Sequence, residues 1–451
     1  MIVVIVVARA DFRNFGKFGR IKESRKNQKG EKNMEFSIKQ ETLKEEIGFI
    51  QGIIDKKTIS PALSSILFQS VSEDKIRVTG SNLEMTMHIN MPAQVSEQGT
   101  VLVSAKRIFD IARSLDLPEI RFRAEESSWV HVESGNAKFR IASIDVTEYP
   151  EVPAETKVGA QLDSNMLLAF IQMTGFAISQ EQSRYLLSAA KFLSVNENDG
   201  KSQNRRRKLR MVTTDGHRLA MVEKDLEGES SEVGNLDILI PRRALQEIAK
   251  ICRHENKLGL GEDERHLYFT SENRSLIVRK LVGNFPNYEA VIPKESPFVA
   301  EFDSATLRAA LRRVSLMADE MSHAVKITLM KNEAVIEAFS QDGEAKEVIP
   351  VVYDGEDFTI GFNSQYIQEF LDVVLSVGAS KASESSAESV EETEKEIESN
   401  KVKVREVAKD GSDEEKGRIR FEFRDSNSQV LMRPLGWKDY NYVYVLMPLR
   451  L

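Results

Sequence analysis

The chain has 451 residues, of which 41% are hydrophobic and 29% are charged, a composition that allows packed cores. At roughly 100–150 residues per domain, this length suggests two to four domains. One cysteine, Cys252, excludes an internal disulfide framework, and no apolar run reaches the ~18 residues of a membrane span. The net charge of −8 excludes a uniformly cationic protein, but not a local basic surface that contacts nucleic acid.

The first 33 residues differ from the rest of the chain. An apolar run at 2–8 precedes a basic stretch, whereas a secretory signal places its positive charge before a longer apolar region. This order predicts a disordered tail or upstream sequence from a mis-called start codon. A basic arm that contacts DNA is the alternative. The regular patterning begins at Met34.

One plan, a short strand followed by an amphipathic helix, occurs three times. The copies are 36–54, 162–179 and 302–319. In the third copy Leu307, Leu311 and Val314 fall on one helical face. Each helix is preceded by a polar residue that can cap it. The predicted cap residues are Gln40, Ser164 and Ser304.

A second amphipathic helix follows in each copy, after a strand that ends in Ser, Pro or Asn. These segments are 103–115, 240–252 and 362–374. Period-two alternation at other positions predicts strands with one buried face. Those strands are 76–79, 276–279, 325–329 and 420–423. The chain is therefore predicted to have an α+β fold of three repeated domains, each with two helices backed by antiparallel sheets, at 34–153, 154–298 and 299–451.

An acidic segment at about 378–417 interrupts the third copy. Its low hydrophobicity and many acidic residues predict a disordered insertion. A regulatory or partner-binding loop is the alternative.

The chain lacks the motifs of common catalytic sites. It has no Gly-x-x-x-x-Gly-Lys-Ser/Thr phosphate loop, no His-Glu-x-x-His and no Gly-x-Ser-x-Gly, and its six histidines are scattered. The segment 213–221 places Asp215, His217 and Arg218 around Gly216. Asp-Gly between apolar flanks predicts a hairpin tip. A hydrolase with His217 as base and Asp215 as its orienter is an alternative, although no nucleophile lies nearby in sequence.

Four motifs on this triplicated chain together resemble the bacterial sliding clamp family, the beta subunit of DNA polymerase III. They are Thr214-Asp-Gly-His-Arg-Leu, Phe285-Pro-Asn-Tyr, Gly361-Phe-Asn-Ser-Gln-Tyr and the C-terminal Tyr444-Val-Leu-Met-Pro-Leu-Arg-Leu. The resemblance implies the DNA clamp fold, in which each chain forms half of a ring-shaped homodimer around duplex DNA. It also implies a cytoplasmic, nucleoid-associated processivity factor that tethers the replicative polymerase, without intrinsic catalysis, cofactor, metal or membrane contact.

The resemblance further implies a cleft between the second and third domains that binds short peptide motifs. Its partners would be the replicative DNA polymerase, an ATP-driven clamp loader, repair polymerases and mismatch-repair proteins. Ala290 departs from a basic residue that is frequent in the family, and Leu449 replaces a common Met. The cleft residues carried over are Leu187, Thr214, Gly216, His217, Arg218, Leu219, Pro286, Val291, Asn363, Tyr366, Val445, Met447, Pro448, Leu449 and Arg450.

Two further sets of residues follow from the resemblance. Leu316 and Met317 match the apolar dimer-interface patch. Contacts to DNA would be made to phosphates and would carry no sequence information. A monomeric peptide-binding scaffold is the second alternative, which the mass in solution distinguishes from a ring. The DNA-facing residues are Lys57, Lys106, Arg107, Tyr185, Arg242, Arg243, Arg308 and Arg312.

Overall fold

A computed structural model of the chain describes residues 33–55, 58–125, 128–155, 158–197, 206–226, 234–377 and 417–450. The N-terminal extension up to residue 32 and the acidic insertion at 378–416 therefore lie outside the described residues, and so does Lys57. No helix in the described segments is both long enough and apolar enough to cross a membrane.

The first unit contains two helices that pack against each other, α1 and α2. Its elements are β1 (Met34–Lys39), α1 (Gln40–Ile50), β2 (Ser65–Ser72), β3 (Lys75–Ser81), β4 (Met85–Pro92), β5 (Gln94–Glu97), β6 (Thr100–Ser104), α2 (Ala105–Ser114), β7 (Glu119–Glu125), β8 (Trp129–Ser134) and β9 (Ala137–Ile144).

The described residues of the second unit repeat the order of the first, with no counterpart of β5 among them, and its helices α3 and α4 also pack as a pair. Its elements are β10 (Ala160–Asp163), α3 (Ser164–Thr174), β11 (Ala189–Glu197), β12 (Arg206–Thr214), β13 (Arg218–Asp225), β14 (Asp237–Pro241), α4 (Arg242–Cys252), β15 (Lys257–Glu262), β16 (His266–Thr270) and β17 (Arg274–Arg279).

The third unit has the same order again. Its elements are β18 (Phe298–Asp303), α5 (Ser304–Val314), β19 (Ala324–Met330), β20 (Glu333–Ser340), β21 (Gly343–Pro350), β22 (Phe358–Asn363), a helix over 364–377 (α6), β23 (Arg418–Phe423), β24 (Val430–Pro434) and β25 (Asn441–Leu446). The predicted α+β repeat of two helices and antiparallel strands is confirmed, whereas its exact domain boundaries stay predictions.

Among the described residues, two of the three sheets continue from one unit into the next. A 13-stranded sheet joins the first two units where β17 pairs with β4, and an eight-stranded sheet joins the last two where β25 pairs with β13. A four-stranded sheet, β21-β20-β19-β22, belongs to the third unit alone. Each internal junction thus pairs the third strand after a unit's first helix with the last strand of the following unit.

The helices are amphipathic and bury one face against the sheets. In α5, Leu307 and Leu311 are fully buried and Val314 is 2% exposed, as their spacing predicts. Burial of one such side chain contributes roughly 1.5–3 kcal/mol relative to leaving it exposed. The packing of these apolar faces is therefore a main source of the fold's stability.

The predicted cap residues are wrong for all three first helices. In α3 and α5 the cap lies one position earlier, because the carboxylates of Asp163 and Asp303 accept hydrogen bonds from the third following N–H, each at 2.7 Å. Aspartate is a favoured N-cap acceptor, and these two residues end the preceding strands. Ser164 and Ser304 are buried first residues of the helices, and α1 has no side-chain cap.

A buried arginine fastens the junction between the first two units. Arg274, whose side chain is 8% exposed, donates to Glu46 of α1 at 2.6 and 2.8 Å and to Glu255 at 2.9 Å. Its guanidinium lies 4.3 Å from the centre of the Phe49 ring. Burial acts to lower the pKa of Arg274, but the surrounding carboxylates raise it above its usual value. The junction therefore holds a fixed positive charge between two units.

Candidate functional site

The Asp-Gly segment forms the tip of the β12–β13 hairpin, as predicted. Gly216 has a φ of +92°, a left-handed conformation that favours glycine. The Asp215 carboxylate accepts from the backbone N–H of His217 at 2.9 Å and of Arg218 at 3.0 Å. The Thr214 hydroxyl donates to the carbonyl of Arg218 at 2.6 Å and accepts from the N–H of Gly216 at 3.1 Å. The turn is thus fixed by its own polar side chains.

The contacts of Asp215 do not fit the hydrolase alternative. Its carboxylate binds the backbone of the turn and the Arg218 guanidinium at 3.0 Å, and no described contact joins it to the imidazole of His217. Nor do the described residues include any group of three His, Cys, Asp or Glu side chains that could hold a metal ion. The segment is therefore built as a structural turn.

Arg218 connects the second unit to the third. Its side chain is 7% exposed. Nη2 donates to the carbonyl of Phe176 at 2.8 Å, and Nη1 forms an ion pair with Glu369 of α6. The guanidinium stacks 4.2 Å from the Tyr366 ring centre. Burial acts to lower the pKa of Arg218, yet its anionic and phenolic neighbours raise it above the usual value, so the residue stays charged.

A small apolar cluster covers one face of the eight-stranded sheet, opposite the face on which Arg218 lies. It brings together three predicted cleft residues, Leu219, Val291 and Val445. Leu219 and Val445 are each 2% exposed, and they face each other across the β13–β25 pairing. Residues from both units and from the loop around Phe285 complete this apolar cluster, namely Val212, Met221, Tyr288, Ile292, Leu431 and Val443.

The C-terminal segment leaves β25 and runs past both units. The N–H of Met447 donates to the carbonyl of His217 at 2.9 Å, and the N–H of Leu449 donates to the carbonyl of Gly361 at 2.8 Å. Pro448, which has no N–H, lies between them. Met447 is 42% exposed, although it is apolar and close to the turn. The chain end therefore forms an exposed apolar edge beside the hairpin tip.

The remaining predicted cleft residues are placed less tightly. Asn363 accepts from the N–H of Gln365 at 3.0 Å and so caps α6, near Tyr366. Leu187 is half-buried, whereas Pro286 and Arg450 are exposed. The contacts described for the chain do not join these last three side chains directly to the others.

Sequence reasoning missed three contacts of Arg218 and one ion pair beside Val291. Phe176 and Glu369 carry no motif, and Asp215 was predicted to form the turn but not to bind the Arg218 guanidinium. Beside Val291, the Glu289 carboxylate accepts from Arg210 at 2.9 Å, and Ala290 is exposed. Position 290, where the family often has a basic residue, thus has an alanine next to an ion-paired glutamate.

The candidate DNA-facing residues lie on three helices and one turn. Lys106 and Arg107 of α2, Arg243 of α4 and Arg312 of α5 are exposed. Arg242 is half-buried, and Arg308 is ion-paired to Asp372 of α6, a hydrogen bond that raises the pKa of Arg308. Tyr185 is 50% exposed and donates to the carbonyl of Val282 at 2.6 Å.

The predicted dimer patch is exposed. Leu316 and Met317 form a 3-10 turn, Ser315–Met317, directly after α5, and they are 77% and 37% exposed. Val348 on the neighbouring strand β21 is 52% exposed. These apolar side chains lie beside the free edge of the four-stranded sheet.

Comparison with known families decides what this architecture is. Models of the DNA polymerase III beta subunit match the chain in order: the N-terminal domain at 34–153, the central domain at 161–287 and the C-terminal domain at 289–401. The chain belongs to the DNA polymerase III beta subunit family. The beta sliding clamp of Haemophilus influenzae is 29% identical over 349 residues, which cover 76% of this chain and 90% of that protein.

Solved structures agree with this assignment. The crystal structure of the DNA polymerase III subunit beta from Pseudomonas aeruginosa matches with a TM-score of 0.74 and 26% identity, covering 93% of this chain and 100% of that one. A structure of the same clamp bound to griselimycin matches with a TM-score of 0.74 and 25% identity, again covering 93% of this chain and 100% of that one. The beta sliding clamp of Caulobacter crescentus shares the fold, with a TM-score of 0.77 and 23% identity over the same shares.

Family membership also decides the class of activity. The relatives are beta sliding clamps of DNA replication, which are processivity factors and not catalysts. The hydrolase alternative is therefore wrong, in agreement with the contacts of Asp215.

Proposed function

We propose that two copies of this chain close a ring around duplex DNA and tether the replicative polymerase to it. The observation that carries the ring is the repeated junction between units. At each internal junction, the third strand after a first helix pairs with the last strand of the next unit: β4 with β17, and β13 with β25. Within the described residues, β21 and the 137–142 part of β9 hold the same positions without this partner.

A second copy supplies the partner for both free strands. If β21 of one copy pairs with β9 of the other, the six units close head to tail and no sheet edge stays open at the junction. One charge pair fits this arrangement: β21 exposes Glu344 as well as Lys346, and β9 exposes Lys138 and Arg140, either of which can pair with Glu344.

Shape supports the same pairing. An open cavity of about 810 Å³ beside β9 is lined by apolar side chains, among them Ile111, Phe139 and Ile141, and by six polar or charged residues. Leu316 and Met317 provide exposed apolar side chains for it on the opposite edge. The interface would thus combine strand pairing with apolar burial.

The hole of such a ring would be lined by the paired helices, and duplex DNA would pass through it. Lys106, Arg107, Arg243 and Arg312 would contact phosphates, which gives binding without sequence preference. Retention would be topological, so the decisive assay compares nicked circular DNA with linear DNA of equal length. We expect the loaded protein to stay on the circle and to slide off the linear molecule. A monomeric scaffold would be lost equally from both.

The exposed apolar edge and the apolar cluster support a peptide cleft between the second and third units. A linear peptide with two apolar anchors would bury ~200–300 Å² there, worth several kcal/mol at ~25 cal/mol per Å² before ordering costs. This free energy corresponds to a dissociation constant of about 3–200 μM before those costs. The partners would be the polymerase, an ATP-driven loader and repair proteins in the cytoplasm. That a related clamp holds griselimycin supports ligand binding by this fold.

The cleft is tested by deletion of the last five residues. The truncated protein should lose polymerase binding while it keeps its dimer and its retention on circular DNA. As a matched pair of point variants, Met447→Ala should weaken binding, and Met321→Ala, which changes a 91% exposed methionine elsewhere on the third unit, should not. Unchanged affinity after truncation would show that the cleft lies elsewhere.

A further inference from the structure

The Arg218 guanidinium lies on the face of β13 opposite the apolar cluster of the proposed cleft. Side chains alternate along a strand, so Leu219 faces the apolar cluster and Arg218 faces the other side of the sheet. There Nε and Nη2 bind the second unit, through Asp215 and the carbonyl of Phe176, and Nη1 binds Glu369 of the third. Each of the three guanidinium nitrogens is thus already bonded within the chain, so Arg218 joins the two units rather than presenting a donor to a bound peptide.

The two halves of the cleft have different supports. Leu219 and Val445 lie on strands paired through their backbones from Arg218↔Leu446 to Glu223↔Asn441. Tyr366 lies on α6, and its ring stacks on the Arg218 guanidinium at 4.2 Å, while Glu369 one turn further along α6 binds the same group. The first half is therefore held by main-chain hydrogen bonds. The Tyr366 half is held by side chains, because its ring stacks on Arg218 and its carbonyl accepts from the Tyr444 hydroxyl at 3.0 Å.

We propose that Arg218 is a positioning residue of the peptide cleft, which fixes the Tyr366 wall against the second unit and does not itself bind the peptide. This inference rests on the proposed function, because it presupposes a cleft that binds two apolar anchors. It revises the expectation that Arg218 is a contact residue of that cleft.

A selective effect on peptide binding follows. Two linked anchors gain affinity only while both sites keep the matching geometry, because the second anchor binds at an effective concentration set by the linker. Loosening the Tyr366 wall should remove the gain from the second anchor and leave the first anchor intact. A general loss of stability would affect both anchors alike.

The chain offers a matched control. Arg274 is equally buried, stacks on an aromatic ring at 4.3 Å and joins two units, but at the junction remote from the cleft. The variants are therefore Arg218→Met, Arg218→Lys and the control Arg274→Met. Glu369→Gln adds a mild variant, since this carboxylate is 46% exposed and its loss should leave folding unaffected.

The probes are a fluorescein-labelled peptide with two leucine anchors and its two versions in which one leucine is alanine. For Arg218→Met we expect an affinity loss of about tenfold for the two-leucine peptide, and of less than about twofold for the version that keeps only the anchor at Leu219 and Val291. Arg218→Lys should show the same selectivity, because an ammonium cannot replace the planar fork. Arg274→Met should lower the Tm and leave all three affinities unchanged.

Each outcome decides between the alternatives. The positioning role is overturned if Arg218→Met lowers the affinity for all three peptides equally, or if Arg274→Met lowers these affinities as much. It is also overturned if Glu369→Gln has the wild-type Tm but shows no selective loss of affinity for the two-leucine peptide. If the wild-type protein does not bind the two-leucine peptide at all, the cleft of the proposed function fails instead. Retention on circular DNA, measured in parallel, should be unchanged in every variant.

Discussion

Replacement of Leu316 and Met317 by aspartate should separate the proposed dimer into monomers. These side chains are 77% and 37% exposed in the single chain. Because full burial of such a side chain is worth roughly 1.5–3 kcal/mol, burying the exposed fractions contributes about 2–3 kcal/mol at one interface. A ring has two identical interfaces, so the double variant should lose about 4–6 kcal/mol of dimerisation free energy. This loss raises the dimer dissociation constant roughly 10³–10⁴-fold. Desolvation of the new carboxylates adds to this loss.

The assay is sedimentation or light scattering across a concentration series. The wild-type protein should be dimeric at micromolar concentration, and the double variant monomeric with an unchanged Tm for the monomer. Ile59→Asp is the control, because this residue is 99% exposed on the first unit and should not affect the mass. A double variant that stays dimeric with an unchanged dissociation constant, or a wild-type monomer, would refute the reasoning.

Three further predictions concern single features. Burial lowers the pKa of His88 below 6.5, so the folded protein holds this side chain neutral and should lose stability as the pH falls below about 6.5. In urea titrations, the free energy of unfolding of His88→Gln should decline less with falling pH than that of the wild type. Burial raises the pKa of the Cys252 thiol to about 11, so iodoacetamide at pH 8 should label the unfolded protein but hardly the native one, as mass spectrometry would show. Deletion of 378–416 should leave dimerisation and DNA retention intact, because this acidic sequence has few core-forming residues; a large drop in Tm would contradict this.

Local patterns in the sequence predict local structure well. The apolar spacing of α5 and the alternation of β3, β19 and β23 depend only on neighbours within a few residues, and the structure has these elements where they are expected. β17 is also a strand at its expected place, but 275–278 are all buried, so the prediction of one buried face is wrong for this strand at the junction between units. The hairpin tip at Gly216 was predictable for the same reason, since Asp-Gly specifies a turn by itself. The cap positions at Asp163 and Asp303 were missed by one residue, because aspartate and serine both suit an N-cap and the sequence alone does not rank them.

The contacts between units could not be predicted in this way. Arg218 and Glu369 are 151 residues apart, and Arg274 and Glu46 are 228 residues apart. Neither pair belongs to a periodic pattern, and an ion pair between residues so far apart in sequence leaves no compositional signal. The cleft residues were predicted from resemblance to a family. Such a resemblance indicates which residues line a surface, but not which buried residues hold them in place. The role of Arg218 therefore became visible only with its neighbours in place.

The two internal junctions also determine where such an assembly can deform. Each carries a ladder of main-chain hydrogen bonds and a buried guanidinium, so bending the chain between its units would break several strong interactions at once. At the first junction, breaking the buried Arg274–Glu46 ion pair alone costs roughly 3–5 kcal/mol. Each half of the ring should thus behave as a stiff arc, with elastic strain concentrated where β21 meets β9 of the second copy. Amide hydrogen exchange should accordingly be slow along the β4–β17 and β13–β25 pairings. It should be faster where β21 meets β9 of the second copy, the interface through which DNA would enter.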